Sequence, residues 1–280
     1  MNWIIGPVLA IGALYLAIVA VMYFAQTRLI FPAWLAQLGR PELPSSAARL
    51  EVTTPEGVRL SGVHLPALGT PVRDRSILLG FPGNAWNAEA MALTLHRIVP
   101  DRDVIVFHYR GYRPSGGRPG AKAVLADSVT IFDRLQKELG TTPIIAVGVS
   151  IGSPVAAYVA RERSLAGLIL ITPFDSLVEL ARAHYRWLPV RWLLRHRMPT
   201  VDFVHGRETP TALIVAAEDT IVPAARSEPL RRAIPNLVFD RTIAGADHND
   251  LYDRPAFREA LREALAQIAG QHRSGHPAKL

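Results

Sequence analysis

The chain has 280 residues, of which 49% are hydrophobic and 20% are charged, a composition that excludes a disordered protein. The absence of cysteine excludes disulfides, thiolate metal sites and a cysteine nucleophile. The net charge of +7 comes mainly from scattered arginines rather than from one basic patch, so we expect a membrane surface, and no nucleic acid, as an acidic partner.

The first segment, residues 2–27, contains no charged side chain. A helix needs about 20 apolar residues to cross the hydrocarbon core of a bilayer, and Trp3, Tyr23 and Phe24 suit the aromatic belts at its two interfaces. The segment therefore predicts an uncleaved transmembrane anchor over residues 1–28. A cleaved signal peptide fits less well, because no basic region precedes the apolar run and Tyr23 is too large for the cleavage motif. A buried core helix is the other alternative.

Basic residues near the anchor bear on its orientation. Arg28 and Arg40 follow the helix, and nothing basic except the amino terminus precedes it. The positive-inside rule therefore favours a cytoplasmic location for the rest of the chain. Residues 29–48 are rich in proline and small side chains and are typical of a juxtamembrane linker.

Residues 49–270 predict one α/β domain. The runs RLEVTT and VRLSGVHL predict a hairpin that turns at Glu56-Gly57. Strands buried on both faces are indicated by SILLGF, DVIVFHY, PIIAVGV, GLILIT and TALIVAA, with NLVFDRTI as a last strand. Helical patterns separate these strands, so we expect a mostly parallel sheet with helices on both faces. The tail, residues 271–280, is predicted to be flexible.

A serine flanked by glycines follows the run PIIAVGV, in the pattern Gly148-x-Ser150-x-Gly152. A serine on a tight strand-to-helix turn adopts a strained backbone, and its neighbours two places away need to lack side-chain bulk. Such a turn presents the hydroxyl above the sheet, where reactions occur in folds of this class. Ser150 is therefore the candidate nucleophile; the alternative is an ordinary hydroxyl in an inactive relative of such enzymes.

A serine nucleophile needs a base and an acid that orients the base. His248, in the loop GADHNDL after the last strand, is the candidate base, and Asp219, in AAEDTIVP after the preceding strand, is the candidate acid. Glu218 and Asp175 remain alternatives for the acid. No second histidine lies at ligand spacing from His248, so we expect neither a metal nor a cofactor.

The segments GVSIG, AAEDTIVP and GADHNDL resemble the nucleophile elbow, acid loop and histidine loop of the α/β-hydrolase superfamily. GFPGNAWN, YRGYRPSGGRP, TPFDSL and YRWLPVRWLL are similar to segments of its membrane-anchored α/β-hydrolase-domain proteins, in the serine-aminopeptidase-like branch. The resemblance implies the α/β-hydrolase fold and hydrolysis of an ester, thioester or amide, with acylated proteins or lipids among the substrates of the family.

The resemblance also implies an oxyanion hole built from backbone N–H groups. By position, Asn84 and Ile151 supply them. The family usually has His-Gly where this chain has Pro82-Gly83. Because both donors are main-chain groups, the loss of the histidine does not by itself remove the hole, although it can change the loop.

Residues 184–204 lie where this fold often inserts a cap over the site. The segment HYRWLPVRWLLRHRM mixes aromatic and leucine side chains with four arginines. One interpretation is a basic amphipathic face that lies on the bilayer and delivers an acyl chain to the site. The other is a short cap whose aromatic side chains pack on the domain.

Together these features predict a membrane-tethered serine hydrolase that cleaves a carboxylic ester or acyl-thioester through an acyl-enzyme intermediate. The alternatives are a serine peptidase of the aminopeptidase type and a catalytically silent membrane-bound scaffold.

Overall fold

The computed structural model describes residues 2–69 and 76–274 of the chain. Within these residues, eight strands form one sheet in the order β1-β2-β4-β3-β5-β6-β7-β8. The strands are β1 (Ala48–Thr53), β2 (Arg59–Leu65), β3 (Ile77–Phe81), β4 (Val104–Phe107), β5 (Ile144–Val149), β6 (Gly167–Ile171), β7 (Thr211–Ala216) and β8 (Leu237–Ile243).

The strands from β4 to β8 in this order are parallel to their neighbours, while β2 runs antiparallel to both β1 and β4. The prediction of a mostly parallel sheet is confirmed. The predicted hairpin is also present: Gly57 has φ +79 and donates its N–H to the Thr54 carbonyl. That left-handed backbone favours glycine.

Helices cover both faces of the sheet, as predicted. They are α1 (Asn2–Ile30), α2 (Ala88–Ile98), α3 (Ala121–Leu139), α4 (Gly152–Glu162), α5 (Leu177–His184), α6 (Val190–Leu193), α7 (Thr200–Val204), α8 (Glu228–Ala233) and α9 (Pro255–Ser274). Apolar side chains of α2 and α9 fill the core on one face, and those of α3, α4 and α8 fill it on the other. α9 ends at Ser274, four residues past the predicted end of the domain at 270. The rest of the predicted tail, 275–280, lies outside the described residues.

The first helix is long and apolar enough to cross a membrane. The qualifying window of α1 has a mean hydropathy of 2.5, and none of its residues is fully buried. The helix ends two residues beyond the predicted anchor of 1–28.

The segment predicted as a linker, 29–48, packs on the domain rather than acting as a spacer. Phe31 and Ala36 are each only 2% exposed and belong to the core that also holds the side chains of α3 and α4. α1 therefore connects to the α/β domain almost directly.

Candidate active site

The candidate nucleophile lies on a sharp turn between β5, which ends at Val149, and α4, which begins at Gly152. Ser150 has φ +52, a left-handed backbone that is costly for any residue with a Cβ. Its N–H donates to the Ile171 carbonyl at 2.9 Å, and its carbonyl accepts from the Ser153 N–H at 2.9 Å. These bonds to β6 and α4 hold the strained turn in place.

The flanking glycines are required by close backbone contacts. A Cβ on Gly152 would lie 2.0 Å from the Phe81 carbonyl oxygen, and one on Gly148 would lie 2.4 Å from the Gly152 carbonyl oxygen. Neither contact is with a side chain that can move. The end of β3 therefore packs directly against the start of α4. A residue larger than glycine at position 148 or 152 would clash with the backbone.

The candidate base and acid form a hydrogen-bonded pair at the ends of β7 and β8. His248 Nδ1 lies 2.6 Å from Asp219 Oδ2, and the Asp219 side chain is fully buried. The other carboxylate oxygen, Oδ1, accepts from the N–H groups of Ile221 at 2.9 Å and Val222 at 2.6 Å. A carboxylate held in this way fixes the imidazole with its proton on Nδ1, so Nε2 is available to accept a proton.

The other two carboxylates considered for the acid lie elsewhere. Asp175 pairs with Arg226 at 3.2 Å and accepts the Ser176 N–H at 2.9 Å. Burial raises the pKa of Asp175, a change that the Ser176 N–H and the Arg226 charge only partly offset. Glu218 is exposed to solvent.

Ser150 and His248 line the same cavity, which has a volume of about 600 Å³. Among the hydrogen bonds formed within 2–69 and 76–274, none joins the Ser150 hydroxyl to the imidazole. In enzymes of this kind such bonds commonly form or shorten only when substrate binds. The arrangement brings a serine, a histidine and a buried carboxylate to one edge of the sheet.

The loop after β3 lies against the elbow. A Cβ on Gly83 would lie 3.9 Å from the Ser150 Cβ. The Gly83 carbonyl accepts from the Trp86 N–H at 3.2 Å, so the N–H of the same peptide unit, on Asn84, points the opposite way. In the part of the chain that the structure describes, the N–H groups of Asn84 and Ile151 form no hydrogen bond. Both remain available to a ligand.

Two tyrosines support this loop, a role that the sequence analysis missed although it quoted their motif, YRGY. Tyr109 Oη donates to the Pro82 carbonyl at 2.8 Å, and Tyr112 Oη donates to the Asn84 carbonyl at 2.8 Å. Burial, with a smaller contribution from Tyr112, raises the pKa of Tyr109 well above its usual value, and burial alone raises that of Tyr112. Both hydroxyls therefore stay protonated as donors and hold the carbonyls of Pro82 and Asn84, the residues before and after Gly83.

The cavity also has a basic wall that was not predicted. Arg97, Arg258 and Arg262 line it together with Trp86 and Tyr252. Arg97 and Arg262 donate to backbone carbonyls, those of Leu93 and Ile98. Within the described residues no carboxylate forms an ion pair with any of these three exposed arginines, and one acidic residue, Asp253, lines the same cavity. The signal was not visible in the sequence, because α2 and α9 are far apart in the chain.

No group of three or more His, Asp and Glu side chains among the described residues is arranged to hold a metal ion.

Comparisons with known proteins agree with this architecture. Residues 77–194 match the model of the α/β-hydrolase fold family. An uncharacterized protein of Mycobacterium tuberculosis (strain CDC 1551 / Oshkosh) is 32% identical over 272 residues, covering 94% of this chain and 95% of that protein. The lysophosphatidylserine lipase ABHD12 of Gallus gallus is 29% identical over 197 residues, covering 60% of this chain and 52% of that protein.

The solved structure of the esterase Pf2001 of Pyrococcus furiosus superposes with a TM-score of 0.62, over 79% of this chain and 92% of that chain. At 19% sequence identity this likeness shows the fold alone. The match to the family model and the likeness to relatives named as α/β-hydrolase-domain proteins together identify the family. The chain belongs to the α/β-hydrolase superfamily, in its branch of α/β-hydrolase-domain proteins.

Proposed function

We propose that the protein is a membrane-tethered serine hydrolase that cleaves a carboxylic ester or an acyl-thioester, with Ser150 as nucleophile, His248 as base and Asp219 as the orienting acid. The observation that carries the proposal is the convergence on one cavity of a strained serine and of a histidine bonded at 2.6 Å to a buried carboxylate. A structural role alone would not require the strain at Ser150.

In this mechanism His248 Nε2 takes the proton of Ser150 as Oγ attacks the acyl carbonyl carbon. The carbonyl oxygen becomes an oxyanion that accepts hydrogen bonds from the Asn84 and Ile151 N–H groups. His248 then protonates the leaving alcohol or thiol as its bond to the acyl carbon breaks. A water next attacks the acyl carbon of the acyl-enzyme and gives a proton to His248. As the bond between that carbon and Ser150 Oγ breaks, His248 returns the proton to Oγ and the carboxylic acid is released.

The oxyanion hole does not depend on the histidine that Pro82 replaces. Tyr109 and Tyr112 hold the carbonyls on either side of Gly83, which is a different support for the same loop. The positive end of α4 adds to the field at Ile151. The departure from the family's usual His-Gly is therefore compatible with activity.

The basic wall supports a substrate with a negatively charged leaving group. Arg97, Arg258 and Arg262 line the cavity that contains Ser150, and guanidinium groups bind phosphate and carboxylate through two parallel hydrogen bonds. ABHD12, by its name, is a lipase for an acidic lysophospholipid. A lipid with an acidic headgroup is accordingly the substrate class we favour over an acylated protein.

The membrane tether is the apolar helix α1, and Arg28 and Arg40 favour a cytoplasmic catalytic domain. Protease treatment of intact and permeabilised cells tests this orientation. Digestion of the domain in intact cells would show that it lies on the outer side.

A fluorophosphonate probe tests the nucleophile. We expect labelling of the wild-type protein and none of Ser150→Ala. Ser153→Ala is the matched control: Ser153 is three residues away and fully buried, with its hydroxyl donating to the Gly148 carbonyl at 3.1 Å, so this variant should still be labelled. Labelling that persists in Ser150→Ala, or is absent from folded wild type, would contradict the proposal. Esters, acyl-thioesters and aminoacyl-anilides compared side by side then separate an esterase from a peptidase.

A further inference from the structure

A second cavity, of about 390 Å³, lies between α1 and the cap and away from Ser150. Its lining is predominantly apolar and comes from the last turns of α1, from the stretch 177–194 and from the acid loop. Representative lining residues are Met22, Ile30, Leu180, Ala181, Leu188 and Ile221. None of the described residues lines both cavities. A volume of this size is in the range of small-molecule sites.

The cap lies beside α1 over much of the length of the helix. Tyr15 Oη donates to the Trp187 carbonyl at 3.1 Å, and the two rings are 6.2 Å apart. Tyr15 is about 22 Å along the helix axis from Ile30. Tyr15 is near the middle of α1, so the cap extends along the helix as far as its midpoint.

The surface around the cavity is apolar and exposed. Val21 and Phe24 of α1 are 65% and 76% exposed, and Trp192 of the cap is 86% exposed. The aromatic side chains of the cap therefore do not all pack on the domain, which favours the predicted face on the bilayer over a cap whose aromatic side chains pack on the domain. Such side chains are stable in contact with lipid, and tryptophan prefers the level of the headgroups.

The contact between α1 and the cap is fastened by polar groups at one end of the cavity. Gln26 Nε2 donates to the Leu193 carbonyl at 3.2 Å, and its Oε1 accepts from the Arg195 N–H at 2.8 Å. Thr27 Oγ1 lies 2.8 Å from His196 Nε2. These bonds hold the cavity open as a defined space between two elements.

We propose that this cavity binds one hydrocarbon chain of a bilayer lipid. The proposal rests on the membrane tether of the proposed function. The occupant follows from the continuity of the apolar lining with the exposed apolar face of α1, because a lipid chain beside that helix can enter the cavity without crossing water. The inner end of the cavity reaches the acid loop: His184 Nε2 donates to the Ile221 carbonyl at 2.8 Å, and the Ile221 N–H donates to Asp219 Oδ1 at 2.9 Å. The chain is that of a resident bilayer lipid rather than of the substrate, because none of the described residues lines both this cavity and the one that contains Ser150.

The test uses the full-length protein in phosphatidylcholine vesicles that contain a phosphatidylcholine with a diazirine near the end of one acyl chain. After irradiation we expect the label on peptides from the stretch 177–194. Ala181→Trp fills the cavity and should lower that labelling by about tenfold. Ala183→Trp is the matched control, because Ala183 is exposed on the same helix and does not line the cavity, so labelling should persist.

Labelling that is absent from these peptides, or is equal in Ala181→Trp and Ala183→Trp, overturns the proposal. Labelling of Ser150→Ala at the wild-type level separates this inference from the proposed function, since lipid occupancy does not need the nucleophile. If the wild type lacks hydrolase activity but is labelled, the proposed function fails and the lipid site stands.

The source of the chain is decided by comparing butyrate and laurate esters. If the cavity holds the substrate's chain, Ala181→Trp lowers hydrolysis of the laurate ester much more than that of the butyrate ester. If it holds a resident lipid, both esters change by the same factor while labelling is lost. The second result supports a resident lipid, and the first would assign the cavity to the substrate and overturn the proposal.

Discussion

Asp219 accepts hydrogen bonds on both of its carboxylate oxygens: from His248 at 2.6 Å on one, and from the N–H groups of Ile221 and Val222 on the other. The backbone of the loop after β7 thus orients the carboxylate, and the carboxylate in turn orients the imidazole. We expect Asp219→Asn to preserve the fold and to lower kcat by about 10³–10⁴, because an amide can hold the imidazole in the wrong tautomer. Ester hydrolysis by the purified variant, with melting temperature as the check on folding, measures this.

Asp175→Asn is the control for the acid. Asp175 is also partly buried at a strand end, but its partner is Arg226. We expect kcat to remain within a few-fold of wild type. A loss in Asp175→Asn as large as that in Asp219→Asn would assign the acid role differently.

Tyr109→Phe tests the support of the oxyanion loop. The change leaves the buried Pro82 carbonyl without its donor, which should cost about 1–3 kcal/mol of stability. We expect kcat to fall with little change in KM, because the loop acts on the transition state. Tyr158→Phe is the control, since the Tyr158 ring packs on Phe203 and its hydroxyl forms no hydrogen bond within the described residues. Equal kinetics for the two variants would exclude a positioning role for Tyr109.

Gly152→Ala tests the close packing of the elbow. A methyl group there would lie 2.0 Å from the Phe81 carbonyl oxygen, so the backbone must move. We expect a loss of about 4 kcal/mol or more in the free energy of unfolding, and loss of fluorophosphonate labelling. Gly270→Ala, on α9 with open space around it, should instead stabilise the protein by about 0.5–1 kcal/mol. Denaturant titration of both variants measures the difference.

His196 makes the contact between α1 and the cap sensitive to pH. Its Nδ1 accepts the Ala121 N–H at 3.3 Å, which leaves the proton on Nε2 to donate to Thr27. Burial, and secondarily the Arg195 charge, lower the pKa of His196 below the ordinary 6.5. The unfolded chain therefore takes up a proton first as pH falls, so this stabilisation is complete above about pH 6.5 and is lost as pH falls toward the folded-state pKa.

We expect the melting temperature of the wild type to decrease below pH 6.5 more steeply than that of His196→Gln. His205→Gln is the control, because His205 is exposed on the surface. The same pH slope in wild type and His196→Gln would rule out this histidine as the cause.

Replacing the three cavity arginines, Arg97, Arg258 and Arg262, by glutamine tests the preference for an acidic substrate. We expect kcat/KM for an ester with an anionic leaving group to fall about tenfold, with little change for a neutral ester, since each exposed charge contributes up to about 1 kcal/mol. Arg207→Gln, on the surface and outside the cavity, is the control. An equal fall for both esters would mean that the arginines maintain the cavity rather than select its ligand.

Much of the site could be predicted because its candidate catalytic residues lie in short segments with recognisable local patterns. The glycines around Ser150 are demanded by one local turn, and Asp219 and His248 each follow a strand, so strand order alone predicts the edge of the sheet at which they meet. The tyrosines of YRGY were quoted for their resemblance, yet their role was not foreseen. Tyr109 and Pro82 are 27 residues apart, and no local sequence pattern predicts which carbonyl accepts a hydrogen bond from a buried hydroxyl.

The sequence by itself determined the α/β class, the apolar first helix, the elbow and the two loops that accompany it, because hydrophobic periodicity and turn chemistry act over a few neighbouring residues. Only the tertiary structure decided that residues 29–48 pack into the core, that three arginines line the cavity of Ser150, and that the cap lies along α1. Tyr15 and Trp187 are 172 residues apart in the sequence. Contacts between residues so far apart depend on how whole helices and strands pack, and short sequence patterns do not predict that packing.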